Sequence, residues 1–342
     1  MKFQIKTLLI TLSLLGLAQA GDYTVKSGDT LSRIAQQFGI TVQDLKSANN
    51  LTSDIIRIGQ VLDIPGLSDT ETIEVGKLSV TLPKKVWDGQ AFSVRLRGED
   101  ADKAIVRFLS EVSEDVREPA EYLKSVAIKD REAIVLGRVV LGNVGKTIQI
   151  EIAHGEKVNT LEIPVTVKQA TVRPLNLSPE VAAKLNPTNQ SIEDKVLNKV
   201  YAMRTPQQWT KAFQDPGVKA VSAGFGTKRI YKPGEPVKYH YGSDFPAKTG
   251  TPVYAVNDGT VVVAAKYEIR GNLVVIDHGL GVQSLYFHQS KLLVKVGDTV
   301  QKGQKIGEVG TTGLSTGPHL HWEMRVRGEA TNPQEWVGKI YP

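Results

Sequence analysis

The chain has 342 residues, 41% of them hydrophobic and 23% charged. That is too long for one compact core and suits about two to four domains. It has no cysteine, so disulfides and thiolate metal sites are excluded, and any metal must be held by His, Asp or Glu. The net charge of +6 suits an anionic surface such as a cell wall, a membrane or nucleic acid, but it is scattered along the chain rather than gathered in blocks.

Lys2 and Lys6 precede an apolar run from Thr7 to Leu17, followed by Ala18-Gln19-Ala20 and Gly21. A basic start, an apolar stretch too short to span a bilayer and an A-x-A site predict a signal peptide over 1–20. The mature chain is then expected to begin at about Gly21, outside the cytoplasm: in the periplasm, on the cell surface or secreted. No later stretch is long and apolar enough to span a membrane.

The next module is short. Tyr23 to Lys26 reads as a strand, Gly28 as a turn and Thr30 as a helix N-cap, with Leu31, Ile34, Ala35 and Phe38 at helical spacing. Gly39 stops that helix, Thr41 opens a second one to Ala48, Asn49-Asn50 closes it, and Ile58 to Pro65 supplies a second strand. The run from YTVKSGDTLSRIAQQFG through LKSANNL to IRIGQVLDIP closely resembles a LysM domain, expected over 21–66. The resemblance implies a βααβ fold and a binder of N-acetylglucosamine-containing glycans. It places the sugar between two loops, here Gly28, Asp29, Thr30 and Leu31 on one side and Ser53, Asp54, Ile55 and Ile56 on the other, with Thr52 beside them. Loop amides can donate to N-acetyl groups, and Leu31 and Ile55 can offer apolar contact to sugar faces. Gly28 and Leu31 read equally well as turn and core residues.

From about Leu78 to Val167 the pattern changes to period two: Phe92, Val94 and Leu96 alternate with polar residues, as do Ile148, Ile150 and Ile152. Turn signals at Asp88-Gly89, Gly142-Asn143 and His154-Gly155 separate the runs. An immunoglobulin-like β-sandwich is expected over 72–168, with no chemistry of its own and His154 as a solvated turn residue. Residues 169–220 read as a connector interrupted by Pro174, Pro179 and Pro187, with short helices at Ser191–Met203 and Pro206–Phe213. It could be a spacer or could shield a groove.

Five of the six histidines, His240, His278, His288, His319 and His321, lie in the last part of the chain. In a chain without cysteine such clustering suggests a metal. Three segments carry it: His240-Tyr241-Gly242-Ser243-Asp244, Tyr286-Phe287-His288, and His319-Leu320-His321-Trp322-Glu323. The last reads as a strand, so His319 and His321 share a face, and one imidazole can bind metal while the other reaches water or substrate. Strands are expected at Val261–Ala265, Leu273–Asp277, Gln283–His288, Ile306–Val309 and His319–Val326, giving an antiparallel sheet with loops at its rim. His278 reads as structural, Asp258 as a turn residue, and Tyr286 as either groove-lining or packing.

From about Gly224 to Pro333 the chain resembles the lysostaphin/LytM-type zinc endopeptidases, through GFGTKR, HYGSD, GTPVYAVNDGTVV, VVIDHG, LYFH, VGDTVQKGQKIGEVG and STGPHLHWEMRVRG. The resemblance implies a mainly β, multidomain chain ending in a barrel-sandwich peptidase domain over 221–342. It implies one Zn2+ ion held by His240, Asp244 and His321, with His288 and His319 as catalytic non-ligands. Three protein ligands leave a tetrahedral ion one open position, which suits catalysis. His319 is the first choice for general base and His288 for holding the oxyanion or substrate carbonyl, or the reverse. The implied function is hydrolysis of amide bonds in the peptide stems or cross-bridges of bacterial peptidoglycan, with the LysM module as a wall anchor. Peptidoglycan, and no nucleic acid, is the implied partner. The competing expectation is a non-catalytic relative that activates separate cell-wall amidases. The connector, standing before the motif-bearing domain, could also inhibit it.

Overall fold

The computed structural model describes residues 22–341 apart from residues 39–40, 50, 65–69, 112–115, 118, 143–144, 146, 168–171, 175–176 and 231–237. The expected leader over 1–20, and Gly39, Asn50, Pro65 and Asn143, lie outside the described residues. The fold is mainly β, and the chain divides into two compact units, Met1–Glu71 and Thr72–Pro342.

In the first unit, strands Asp22–Thr24 and Val61–Asp63 pair antiparallel, with Tyr23 opposite Leu62. Helices α1 (Leu31–Phe38) and α2 (Val42–Ala48) lie between them in sequence. Thr30 caps α1 as expected, its hydroxyl accepting from the Arg33 amide at 3.2 Å. Val25, Leu31, Ile34, Ala35, Leu45, Leu62 and Ile64 form a core small enough that each of them matters.

The second unit begins with a sandwich of two five-stranded sheets. One runs, in spatial order, 70–75, 78–83, 91–98, 132–138, 126–129; the other runs 86–87, 157–166, 147–154, 105–108, 123–124. Phe92, Val94, Leu96, Ile148, Ile150 and Ile152 all point into the core between the sheets, as their alternation predicts. Strand Glu132–Arg138 departs from the solvated-face pattern, being buried along its whole length. Ala133 and Val135 face the sandwich core, whereas Ile134 and Leu136 join the hydrophobic cluster of the C-terminal sheet. The sandwich is therefore packed into the second unit through a shared apolar surface and is not a free spacer.

Two helices follow. α3 (Pro179–Ala183) is capped by Ser178 and α4 (Pro187–Tyr201) by Asn186, each with proline in its first turn. Pro179 and Pro187 thus start helices rather than interrupt them, because the first helical turn has no use for the missing N–H. The helix expected at Pro206–Phe213 does not form. That segment is extended: the Gln208 amide donates to the His278 carbonyl at 2.8 Å, and the Phe213 amide to the Lys339 carbonyl at 2.8 Å. Trp209 and Phe213, at helical spacing, are instead buried one after the other in the C-terminal core.

That core lies under a seven-stranded antiparallel sheet: 243–246, 319–326, 282–289, 271–279, 259–267 and 299–300 in order, with 329–331 also pairing 319–326. Leu320, Trp322, Met324 and Val326 point to the core face. His319, His321, Glu323 and Arg325 therefore share the opposite face. On that face Leu197, Val200 and Tyr201 of α4 pack against Val263, Leu273, Val275, Leu285 and Phe287. Among the described residues no helix is long and apolar enough to cross a membrane.

Candidate metal centre

Sheet register brings the first donors together. Asp244 lies directly opposite His321 in the pairing of 243–246 with 319–326, and Phe287 flanks His321 on the other side. His240 arrives from the turn just before Ser243, its amide bonded to the Thr227 carbonyl at 2.8 Å. Gly242 permits the approach: a Cβ there would sit 2.7 Å from His321 Nε2 and 2.5 Å from the Trp322 carbonyl.

His240 Nε2, His321 Nδ1 and Asp244 Oδ1 lie 2.9 Å, 2.8 Å and 3.1 Å from one another, all three residues buried. The second nitrogen of each ring is committed elsewhere. His240 Nδ1 donates to the Gly224 carbonyl at 3.0 Å, and His321 Nε2 to Glu323 Oε1 at 3.0 Å. In their neutral tautomers both histidines then point lone pairs at each other and at a carboxylate. Three acceptors this close need a positive centre among them, either a proton or a metal ion. Burial works against charge on His321, but Asp244 and Glu323 outweigh it and raise its pKa, which is how a proton satisfies the cluster. Two imidazoles and one carboxylate with hydrogen-bonded outer partners make a donor set that fits a divalent metal of the kind imidazole favours. Arg229 binds the other carboxylate oxygen, Asp244 Oδ2. Burial would push the Asp244 carboxyl up, yet the two imidazoles hold it well below the usual range.

His319 and His288 stand beside this group without joining it. His319 Nε2 is 3.7 Å from Asp244 Oδ1, and the His288 and His319 rings lie 4.8 Å apart. Each donates Nδ1–H to a backbone carbonyl, His319 to Gly317 and His288 to Thr312, both at 2.8 Å. That fixes Nε2 as the free nitrogen on both rings. Burial lowers both pKa values, with the neighbouring histidines adding to the effect, so both rings are neutral near pH 7. His288 has a left-handed backbone, φ 62°, which is uncommon for a residue with a side chain and marks a position fixed by its surroundings.

The other histidine of this region serves structure. His278 is fully buried, with Nδ1 bonded to the Asp258 carbonyl and Nε2 to Ser284 at 2.7 and 2.8 Å. Tyr286 is a packing residue whose hydroxyl takes the Val256 amide at 3.0 Å. Three side chains around the site had no role in the sequence reading: Arg229, Glu323 and Arg325. Glu323 was within reach, because it continues the period-two face of His319 and His321; Arg229 offers no such signal.

In the first unit the expected glycan loops are partly committed to the fold. Leu31 is 2% exposed in the core, so its side chain cannot reach a sugar face, correcting that expectation; its position opens α1 and points it inward. Asp29 accepts from the Tyr23 hydroxyl and the Lys26 amide, both at 2.7 Å. Thr30 is used as the helix cap, the Gly28 carbonyl takes Arg33 Nη1, and Asp54 pairs with Lys46. Ile56 packs partly against the core. Ser53 and Ile55 remain at the surface, lining a shallow concavity with Arg57, Ile58, Gly59 and Gln60; Ile55 is 77% exposed.

Comparison with known proteins agrees with this geometry. Residues 238–333 match the model of peptidase family M23, and residues 23–65 match the LysM domain. The chain carries a peptidase family M23 domain and a LysM domain. The peptidase is 28% identical to peptidoglycan DD-endopeptidase ShyA of Vibrio cholerae, over 91% of this chain and 73% of ShyA. It is 29% identical to peptidoglycan DD-endopeptidase ShyB of the same organism, over 89% of this chain and 73% of ShyB. A crystal structure assigned to peptidase M23 from Pseudomonas aeruginosa shares the fold, with a TM-score of 0.53 at 22% identity, covering 73% of this chain and 94% of that one.

Proposed function

We propose that this peptidase is a zinc-dependent endopeptidase that hydrolyses amide bonds in the peptide stems or cross-bridges of peptidoglycan. The observation that carries the reading is the convergence of three buried acceptors beside two neutral imidazoles, each with a free Nε2. His240, Asp244 and His321 would hold the ion. When bound, zinc supplies Lewis acidity, lowering the pKa of water and stabilising negative charge on the scissile carbonyl oxygen.

The remaining work falls to the chain's own side chains. His319, neutral and with Nε2 nearest the metal donors, takes a proton from the attacking water and returns it to the leaving amine. His288, its ring 4.8 Å from that of His319 and 6.2 Å from that of His321, is assigned to the developing oxyanion. Because its Nδ1–H is spent on Thr312, the neutral His288 ring donates there only after its Nε2 takes up a proton from solvent. The reversed assignment uses the same two tautomers. Phe287 stacks on His321 with centroids 4.5 Å apart, holding that ring against the sheet. The presence of all five side chains supports an enzyme over a regulator that has lost its ligands.

The LysM unit supports attachment to N-acetylglucosamine-containing glycan, which raises the concentration of catalyst on an insoluble polymer without changing its chemistry. Ser53 and Ile55 are the surface positions best suited to sugar contact. A wall substrate requires export, consistent with the A-x-A site at Ala18–Ala20. The test is mass spectrometry of fragments released from purified sacculi by the zinc-loaded mature chain, beside His321→Ala. New peptide ends that depend on His321 are expected and identify the bond. Absence of release with zinc shown to be bound would overturn the reading.

A further inference from the structure

α4 lies on the same sheet face as the metal centre, yet it precedes the segment that matches the peptidase family. Its apolar side explains its docking but leaves one residue unexplained. Glu193 is 2% exposed, and burying a carboxylate is costly unless it is fully hydrogen-bonded. Its partners are the Ile269 amide at 2.7 Å, the Arg270 amide at 3.2 Å and Arg270 Nη1 at 2.8 Å. These donors form the turn joining strands 259–267 and 271–279.

That turn leads straight to His288. The Arg270 carbonyl accepts the His288 amide at 3.0 Å, and the Ile269 carbonyl accepts the Leu314 amide at 2.7 Å. The 311–315 loop in turn supplies the Thr312 carbonyl that fixes the His288 tautomer, and Ser315, whose hydroxyl lies 3.3 Å from His319 Nδ1. A second anchor comes from just beyond α3, where Lys184 Nζ donates to the Gly313 carbonyl at 2.8 Å. Glu193 grips the 268–271 turn and Lys184 the 311–315 loop, the two segments whose carbonyls accept the His288 amide and its Nδ1–H. Among the described residues, no hydrogen bond from α3 or α4 ends on a side chain of His240, Asp244, His288, His319 or His321.

We propose that Glu193 is a positioning residue for His288: by fixing the 268–271 turn it sets the carbonyl that holds His288 in its left-handed conformation, so that α4 builds the catalytic site rather than blocking it. The inference rests on the proposed endopeptidase reading. A helix that merely plugged the groove would need contacts to the site's own atoms and would raise activity when loosened. A helix that positions His288 must lower activity when loosened.

The experiment compares the full mature chain, zinc-loaded, with Glu193→Gln, Glu193→Asp and Lys184→Met, using a soluble cross-linked muropeptide. Glutamine keeps the shape but aims an amide donor at donors. Misplacing a catalytic group by an ångström costs on the order of a hundredfold. Glu193→Gln is therefore expected to lower kcat by about tenfold to a hundredfold with KM and zinc content unchanged, Glu193→Asp to recover part of the loss, and Lys184→Met to lower kcat by a few-fold. A folded, zinc-loaded Glu193→Gln enzyme with wild-type or higher kcat would overturn the inference. If that variant does not fold, an unchanged kcat in Lys184→Met does the same. If the wild type itself cuts no muropeptide, the functional reading fails instead. The inference is then judged by NMR of the His288 imidazole N–H, expected to lose its slow exchange in Glu193→Gln and overturned if its exchange is unchanged.

Discussion

The hairpin of His319–Val326 and Glu329–Thr331 carries a buried charge cluster at each end. At the turn, Arg327 meets Glu111 and Arg138 of the sandwich; along the strand, His321 and Glu323 meet Asp244 and Arg325. The first cluster is closed but for Arg327 Nε, which lies 3.7 Å from Glu121 Oε2. Arg138 Nε and Nη2 pair with the two Glu111 oxygens at 3.1 Å each, Nη1 reaches the Val326 and Arg327 carbonyls, and Arg327 Nη1 donates to the Leu136 carbonyl at 2.6 Å. Burial still lowers the Arg327 pKa to about 10, with Glu111 opposing it. The second cluster stays open, because three acceptors converge with no donor of their own. Burial and charge are common to both; only the unfinished one is a candidate for chemistry.

Completing that open cluster should matter most. His321→Ala removes one donor, so the expected outcome is loss of stoichiometric zinc and a fall in hydrolysis of at least about a thousandfold, since the ion contributes several kcal/mol and each 1.4 kcal/mol is tenfold. Metal analysis beside sacculus digestion checks it; a metal-free variant with undiminished cleavage would remove the metal from the mechanism.

The closed cluster should fail differently. Glu111→Gln leaves two buried guanidiniums without their carboxylate, and breaking such a group typically costs about 3–5 kcal/mol. Urea unfolding should register that loss while zinc content at low urea stays at the wild-type value. A stability change under about 1 kcal/mol would mean the interface is held by Ile134 and Leu136 alone.

His278 supplies a third buried cluster, satisfied while neutral. Burial, the largest influence, lowers its pKa from 6.5 to about 4, against weaker support from the Asp258 carbonyl and Asp277. The unfolded chain therefore binds more protons than the folded one between those values. Stability is complete above pH 6.5 and is lost as pH falls toward 4, by at most about 3 kcal/mol. The pH dependence of urea unfolding should flatten over that window in His278→Asn. An equal slope in both proteins would assign the loss to other groups.

These contrasts also show what the sequence could carry. Period two fixed the strand His319–Val326 at both ends and sorted its faces, because side-chain direction in a strand is a local property. The same rule extends to Glu323, which shares the face of His319 and His321 but was given no role. The helix expected over Pro206–Phe213 gives way to an extended segment whose amides pair with the distant His278 and Lys339 carbonyls. Pro187 was read as a break, although proline in the first turn after Asn186 begins a helix. Glu193 carries no sequence signal of its role, because its partners at 269 and 270 exist only after folding. Leu31 shows the converse: a motif locates a loop, but not which of its side chains turn inward.

The finest distinction between open and closed clusters lies in one proton on His321. Glu323 Oε1 accepts from His321 Nε2 at 3.0 Å, and Oε2 accepts from Arg325 Nε at 2.7 Å. Burial would raise the Glu323 carboxyl, but Arg325 and His321 hold it at about 2, so it is a permanent acceptor. In Glu323→Gln the single oxygen must face Arg325, whose guanidinium can only donate. The new amide N–H then faces His321 Nε2 and requires an acceptor there, moving the ring proton to Nδ1, among the metal donors. The protein can still fold, because shape and volume are unchanged, but the metal must displace a proton that the native tautomer keeps away. Zinc affinity is expected to fall about tenfold to a hundredfold, read by competition with a chromogenic chelator at fixed pH. The loss should shrink at higher pH, where that proton leaves more readily. An affinity equal to wild type at every pH would show that Glu323 anchors Arg325 and does not set the His321 tautomer.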